Sequence, residues 1–359
     1  MTLTAMVRKK MRGGFELDVT ALIAPGITML FGASGSGKTT LLRTIAGLAT
    51  PDGGSISIGA RVVYSAAAGV SVPTEQRNIG YVFQQLALFP HLTIRENVSY
   101  GLAHATRSER RDMVDAIADS FRITHILDRL PDDTSGGERQ RAALARSLVL
   151  NPSVLMLDEP LSALDHATQS LIIEDLRRWN ATHGIPILYV THAHREVFAL
   201  GERVLVMDRG RIVADGPPAL VLDAPEAESI ARLAGFENVF TARVVARGAD
   251  TGTMSCRLPN GTELEVPLAG EARDGNVRIA IRAGDILLAN EEPRGLSARN
   301  VVVGTIDMLR REGPTVVADV NAGDRFLVHL TPGAVDSLHL ATGMRAWLVI
   351  KTYSCRIVI

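Results

Sequence analysis

Cysteine is nearly absent. Cys256 and Cys355 are the only two in 359 residues, with no Cys-x-x-Cys pair and no Cys/His cluster. That excludes a disulfide framework and a structural zinc site, and it fits a reducing compartment. Aromatic residues make up only 4% of the chain. The apolar bulk therefore comes from Ala, Val, Ile and Leu, which suits layers of helix packed on sheet. An excess of either charge is missing as well. Lys plus Arg total 38 against 39 Asp plus Glu, a net charge of −1, which gives no general electrostatic drive towards nucleic acid. No run approaches the ~18 apolar residues needed to cross a bilayer. The basic N-terminal stretch with Arg8, Lys9, Lys10 and Arg12 has no apolar segment behind it, so no signal peptide is expected. Any service to a membrane would be that of a peripheral subunit.

What is present is an alternation of apolar runs and helical patterns over roughly the first 235 residues. Residues 28–31, 154–157 and 187–190 read as buried strands, and 38–46, 138–150 and 169–180 as helices. Strands alternating with helices predict an α/β domain built on a mostly parallel sheet. Residues 95–150 carry no strand signal and read as a helical subdomain. From residue 236 onwards, short alternating runs separated by turns such as Asn260-Gly261 and Ala322-Gly323 predict an all-β domain. This second part resembles itself. Asn238-Val239 matches Asn300-Val301, Gly261 matches Gly323 and Leu268 matches Leu330, all at an offset of 62; residues 279–282 then match 348–351 at an offset of 69. Two tandem small OB-like barrels are expected, the second about seven residues longer.

Gly32-Ala33-Ser34-Gly35-Ser36-Gly37-Lys38-Thr39 fits G-x-x-x-x-G-K-[ST] between an expected strand and an expected helix. Glycines let backbone N–H groups turn inward around phosphate, and the helix N-terminus adds positive potential. Lys38 supplies a point charge to the β- and γ-phosphates, and the Thr39 hydroxyl can ligate Mg²⁺. The apolar run 154–157 ends in Asp158-Glu159. One carboxylate at a strand end can hold the metal and the next can deprotonate the attacking water, so Asp158 is assigned to Mg²⁺ and Glu159 to the general base. Thr134-Ser135-Gly136-Gly137-Glu138 can cap the following helix through Ser135 and expose its amides, a second anion site.

These motifs stand in the order found in the nucleotide-binding subunits of ABC importers, which the chain resembles: the phosphate loop with Thr40 after it, Gln84 in Tyr81-Val82-Phe83-Gln84, the signature at 134–138, Asp158-Glu159, Asp165 in Ser162-Ala163-Leu164-Asp165, and His192 in Tyr189-Val190-Thr191-His192. The resemblance implies a P-loop ABC ATPase domain over residues 1–235 and a head-to-tail homodimer. Two ATP molecules would each lie between the phosphate loop of one chain and Ser135, Gly136 and Gly137 of the other. It further implies that Gln84 senses the metal and γ-phosphate and that His192 contacts the γ-phosphate. Thr134 and Glu138 depart from the usual Leu and Gln, and Glu138 would bring a carboxylate near phosphate unless it points away. No aromatic is assigned to adenine: Phe15 alternates with Leu17 and Val19 like the inward face of a strand and reads as core. Apolar residues 86–91 lie where this family meets its integral-membrane permease.

The C-terminal half carries the substrate reading. Leu296-Ser297-Ala298-Arg299-Asn300-Val301 and Ile350-Lys351-Thr352 resemble the small molybdate-binding (Mop/TOBE-like) module of molybdate importer ATPases. Ser297, Arg299, Asn300 and Lys351 offer donors and two positive charges for a tetrahedral dianion. The module is placed at about 295–359 within a regulatory domain 236–359. The first copy has Asn238 but no Ser-Ala-Arg, and is expected to keep the scaffold without the site. The expected whole is an ATPase subunit on the cytoplasmic face of the inner membrane, importing molybdate or tungstate with a permease and, indirectly, a periplasmic oxyanion-binding protein. An importer of sulfate, iron or sugar is the nearest alternative. A soluble ABC ATPase working on DNA or ribosomes would carry a second cassette or a coiled-coil insert, and this chain has neither.

Overall fold

The computed structural model describes residues 1–11, 13–222, 228–248, 250–268 and 275–358. Its contacts divide the chain into two units, Met1–Pro218 and Ala219–Ile359. The first unit opens with β1 (Leu3–Lys10), β2 (Glu16–Ile23) and β3 (Gly26–Phe31), followed by α1 (Lys38–Ala46), β4 (Gly53–Ile58), β5 (Arg61–Ser65), β6 (Val70–Ser71) and β7 (Ile79–Val82). Three helices follow, α2 (Ile94–Ser99), α3 (Arg107–Ser120) and α4 (Gly136–Leu148), and then β8 (Val154–Asp158), α5 (His166–His183), β9 (Pro186–Thr191), α6 (His194–Leu200), β10 (Arg203–Asp208) and β11 (Arg211–Gly216).

Two sheets result. The antiparallel sheet runs β2-β1-β4-β5-β6. In β2, Leu17, Val19, Ala21 and Ile23 point inward and the residues between them outward, the period of two that a one-sided sheet requires. The other sheet runs β11-β10-β3-β9-β8-β7. Its strands from β10 to β7 are parallel and only β11 is antiparallel. Every residue of β8 and β9 is buried, so these strands read as unbroken apolar runs. Helices α2, α3 and α4 each start on a capping box, Thr93–Glu96, Thr106–Glu109 and Ser135–Glu138. In each, a hydroxyl and a carboxylate satisfy the orphan donors of the first turn. Among the described residues, no strand interrupts 94–148.

In the second unit α7 (Pro218–Leu222) and α8 (Glu228–Leu233) precede β12 (Asn238–Gly248), β13 (Thr253–Arg257), β14 (Glu263–Pro267), β15 (Asn276–Ile281) and β16 (Ile286–Ala289). The same order returns as β17 (Asn300–Glu312), β18 (Thr315–Ala322), β19 (Asp324–Leu330), β20 (Arg345–Ile350) and β21 (Arg356–Val358), with α9 (Pro332–Ser337) ahead of β20. The repeat is present as two curled antiparallel sheets, and the copies exchange strands. Their sheets run β14-β13-β12-β15-β21 and β16-β20-β17-β18-β19, so each copy gives its last strand to the other's sheet. One core serves both, with Cys256, Ile279 and Ile281 of the first packed in the same cluster as Phe326, Leu348 and Ile350 of the second.

Two buried asparagines lock the exchange. Asn238 accepts from Leu327 N (2.7 Å) and donates to Leu327 O (2.9 Å). Asn300 accepts from Glu265 N (2.6 Å) and donates to Glu265 O (2.9 Å). Each amide thus completes the backbone pairing of an edge strand in the opposite copy. Replacing either asparagine by Leu leaves a buried N–H and C=O unpaired. Each variant should lose about 1–3 kcal/mol from the unfolding of this unit, measured by denaturant melts of the full chain, and the two losses should be alike.

Candidate functional site

The C-terminal ends of the parallel strands are where the sequence-predicted site residues gather. β3 ends at Phe31, and Gly32 follows it into a tight loop. A Cβ on Gly32 would lie 2.2 Å from the Met207 carbonyl oxygen, so no larger residue fits there. At Gly37 the backbone turns with φ +104°, a conformation that glycine adopts freely. Helix α1 starts at the next residue. Ser36 is buried, and its Oγ has no hydrogen-bond partner among the described residues.

Lys38 folds its ammonium back over the loop and donates to Gly32 O at 2.7 Å and Ala33 O at 2.9 Å. Burial draws its pKa below the ordinary lysine value, while Glu159 and Asp158 push it up again. Thr39 Oγ1 donates to Asp158 Oδ1 at 3.1 Å, and the Tyr81 hydroxyl donates to Asp158 Oδ2 at 3.2 Å. Burial raises the Asp158 carboxyl above its usual range, and these two hydrogen bonds pull it down. Glu159 leaves β8 with φ 47°, a strained conformation for a non-glycine residue of the kind that marks functional sites. His192 Nδ1 lies 3.2 Å from Glu159 Oε1.

A cavity of about 570 Å³ opens over this loop, lined by Ser34, Gly35, Gly37, Lys38, Thr39, Thr40, Gln84 and Glu159, with Met11 and Phe15 on its wall. Phe15 is half-buried against the core of the first unit and its Cζ lies 3.0 Å from where a Gly37 Cβ would stand. Its reading as core holds, and it is a wall of the cavity as well. Strand alternation gave its inward face but not its position at the strand's start, where the sheet meets the loop. A larger groove of about 980 Å³ lies near the opposite strand ends, beside Gly26 and Gly184, and holds none of this chemistry.

Ser135, Gly136, Gly137 and Asp165 do not line the cavity of their own chain. Ser135 caps α4, and both its N–H and its hydroxyl donate to Glu138 Oε2 at 2.8 Å. Those bonds hold the Glu138 carboxyl down at about 2. Glu138 also meets His125 Nε2 at 2.9 Å. It is turned back on the cap, so the carboxylate is spent there. Asp165 caps α5, accepting from Ala167 N and Thr168 N at 3.0 Å and from Thr168 Oγ1 at 2.6 Å.

In the second unit Ser297, Arg299 and Lys351 are exposed. Arg299 Nε lies 3.6 Å from Glu265 Oε2. Asn300 leaves the predicted oxyanion set. It is 3% exposed and both ends of its amide are engaged by Glu265, which makes it a structural bracket. Thr352 was not singled out. It is buried, and its Oγ1 has no hydrogen-bond partner among the described residues, beside Lys351 in the chain. Its place in Ile350-Lys351-Thr352 was the available signal.

The ABC transporter family model matches residues 19–162 and the TOBE domain model residues 296–357. The chain belongs to the ABC transporter ATP-binding family, and it is a nucleotide-binding transport ATPase. It is 38% identical over 358 residues to the molybdenum import ATP-binding protein ModC of Rhizobium etli, covering 98% of this chain and 99% of the relative. The ModC of Rhodospirillum rubrum is 35% identical over 356 residues, 96% of this chain and 95% of that one. Among solved structures, a dimeric structure of MJ0796, a bacterial ABC transporter cassette, superposes with a TM-score of 0.53 at 28% identity, covering 61% of this chain and 99% of that one. CbiO1 from Clostridium perfringens, part of the ABC transporter complex cbiONQ, gives 0.55 at 27% identity over 66% of this chain and 94% of its own.

Two substitutions separate the parts of the site. Lys38→Ala removes the ammonium folded over the loop and should weaken ATP binding, read by nucleotide titration. Glu159→Gln keeps the shape and removes the carboxylate charge. It should bind ATP normally and lose turnover on the order of 10²–10⁴-fold. Wild-type turnover in that variant would rule out Glu159 as the base.

Proposed function

We infer that this chain is the ATP-hydrolysing subunit of a molybdate importer. The observation that carries the reading is the pairing, in one chain, of the loop site at Lys38, Thr39, Asp158 and Glu159 with a C-terminal module like that of the ModC proteins, matched from end to end. The phosphates of ATP would lie on the amides of residues 34–40, with Lys38 swung from the Gly32 and Ala33 carbonyls to the β- and γ-phosphates. Thr39, Asp158 and Gln84 suit Mg²⁺: a hydroxyl and a carboxylate already 3.1 Å apart, with an amide beside them on the cavity wall. Among the described residues no cluster of three or more His, Cys, Asp or Glu could hold a metal alone, so phosphate oxygens would complete the set. Held by Thr39, Asp158 and Gln84, a magnesium ion would supply positive charge to the phosphates. Glu159 accepts a proton from water as its oxygen attacks the γ-phosphorus and the bond to the β-phosphate oxygen breaks. His192, already beside Glu159, holds that carboxylate in place and faces the γ-phosphate.

The second half of each site comes from a partner chain. Ser135, Gly136 and Gly137 lie outside their own cavity and present a helix N-terminus, which suits binding the phosphates of a nucleotide held by another copy. The permease would dock in the groove of about 770 Å³ lined by Leu48, Tyr81, Phe83, Tyr100, Arg146 and Leu150. Arg146 holds its edge by donating to Leu86 O and Ala87 O at 2.8 and 2.7 Å. Phe89 packs on Tyr100 with ring centroids 4.5 Å apart, so residues 86–91 are part packing and part surface. No helix among the described residues is long and apolar enough to cross a membrane, and the subunit would sit on the cytoplasmic face. A periplasmic oxyanion-binding protein would deliver substrate to the permease. In the C-terminal module Ser297, Arg299 and Lys351 are the proposed oxyanion donors, and the spare Thr352 hydroxyl supports a polar ligand nearby.

Subunit mixing tests the dimer. Ser135→Arg and Lys38→Ala chains are each expected to be inactive alone. Mixed, every heterodimer has one site with both lesions and one with neither, so ATPase activity should partly return. No return, with heterodimers shown to form, would exclude the head-to-tail geometry. Calorimetry of the full chain tests the substrate. Molybdate and tungstate should bind and sulfate much more weakly, because the larger anions reach donors that sulfate leaves unpaired. Arg299→Ala should cost about 1.5–3 kcal/mol. Sulfate binding as tightly as molybdate would leave a generic importer ATPase.

A further inference from the structure

One buried carboxylate in the first unit is used by none of the chemistry above. Asp175 lies on α5, and its side chain is 0% exposed. Three guanidiniums surround it: Arg122 Nη2 at 3.1 Å, Arg141 Nε at 3.4 Å and Arg178 Nη1 at 3.7 Å. Neither of its oxygens has a hydrogen bond of good geometry, and neither has Arg141 Nε. A buried carboxylate held only by ion pairs is costly unless the charges around it are fixed. Its partners come from different segments. Arg122 follows α3, Arg141 is on α4 six residues after Ser135, and Arg178 is on α5 itself.

A second contact joins the same two helices near their starts. A Cβ on Gly137 would lie 2.5 Å from Thr168 Cγ2, and one on Gly136 would lie 3.2 Å from Leu164 Cδ2. The glycines are therefore needed for close approach to the turn that precedes α5. Thr168 then donates its hydroxyl to Asp165 Oδ2 at 2.6 Å. The N-termini of α4 and α5 are thus mated at Gly137 and Thr168, and the helices are tied again further along at Arg141 and Asp175.

We propose that Thr168 and Asp175 are positioning residues that lock the Ser135 helix end and the Asp165 turn into one rigid block, so that each chain offers its partner a half-site of fixed geometry. Neither residue touches nucleotide. Their effect reaches the partner's ATP through Ser135, Gly137 and Asp165, where a displacement of about 1 Å can cost on the order of 10²-fold in rate. The inference rests on the head-to-tail dimer reading and says which residues set the half-site that the dimer uses.

The lesion should act across the dimer and not on its own chain. Asp175→Asn keeps the shape and removes the charge. Thr168→Val keeps the packing on Gly137 and removes the bond to Asp165. Each should lower kcat on the order of ten- to a hundredfold and change KM for ATP by less than about threefold, because the loop that binds ATP is untouched. The deciding readout is mixing with Lys38→Ala chains. A lesion confined to the offered half-site leaves one intact site per heterodimer, so activity should return as it does in the Ser135→Arg and Lys38→Ala mixture. A lesion that damages its own chain's loop site leaves none. Return in the Ser135→Arg control without return for Asp175→Asn overturns the proposal. No return in the control overturns the dimer reading instead. If Asp175→Asn fails to fold by circular dichroism, Thr168→Val carries the same test. Wild-type kcat in Thr168→Val with folded Asp175→Asn also at wild-type kcat would overturn it too.

Discussion

The layout of the loop site depends on the register of four parallel strands. Phe31 pairs with Thr191, Val190 with Asp158, and Leu157 with Val82. With the strand ends level, the residues that follow them emerge side by side: Gly32 from β3, His192 from β9, Glu159 from β8 and Gln84 from β7. A slip of one residue in any pair would turn a strand's side chains to the other face and carry its terminal polar residue out of reach. Burial opposes the slip at the strand ends, because a shift of β8 would draw the Glu159 carboxylate into a layer where every position is buried. The bond from Thr39 to Asp158 is a consequence of this register, since it joins the first turn of α1 to a strand two places away in the sheet.

The other half of the chemistry is built on a different principle. Ser135 and Asp165 each use their side chain to cap a helix, and the carboxylates are already satisfied. Glu138 shows why the departure from glutamine is tolerated. A carboxylate near phosphate would oppose binding, but this one accepts from the Ser135 N–H and hydroxyl and lies against His125. The backbone amides of Gly136 and Gly137 remain the distinctive feature of that surface. Their lack of side chains serves contact with Thr168 and Leu164 as much as access for a ligand.

Local patterns were legible in the sequence wherever one residue type has one use. The helix at Lys38–Ala46 was readable to the residue, because Gly37 must start it and Gly47, with φ 86°, must end it. The runs at 154–157 and 187–190 were readable because strands covered on both faces have no alternation to confuse them. Long-range exchange was not legible. Nothing in the spacing of 286–289 or 356–358 says that each strand joins the other copy's sheet, since pairing partners leave no mark on a single strand. Asp175 was equally hidden: a lone acid on an amphipathic helix looks solvated until Arg122 and Arg141 arrive from other elements. Asn300 was misassigned for a related reason, because an amide that binds an anion and one that brackets a strand are the same two groups.

The pair of asparagines separates what the two copies share from what differs between them. Asn238 and Asn300 occupy matching places and do matching work, each closing on one backbone N–H and C=O in the opposite copy. A feature shared by both copies cannot account for a difference between them. The discriminating residues are those that differ at matched positions. Glu237 precedes Asn238 where Arg299 precedes Asn300, and Ala283 follows Arg282 where Thr352 follows Lys351. In the first copy the Glu237 carboxylate already accepts from Ala283 N at 2.8 Å, so a negative group of the protein's own fills that place. In the second copy the carboxylate is replaced by a guanidinium, and the alanine by a threonine with a spare buried hydroxyl. The change turns a self-satisfied corner into one with positive charge and an unused polar group. The two matched copies thus keep their asparagine brackets in both halves, where the fold needs them, and differ in the residues beside them.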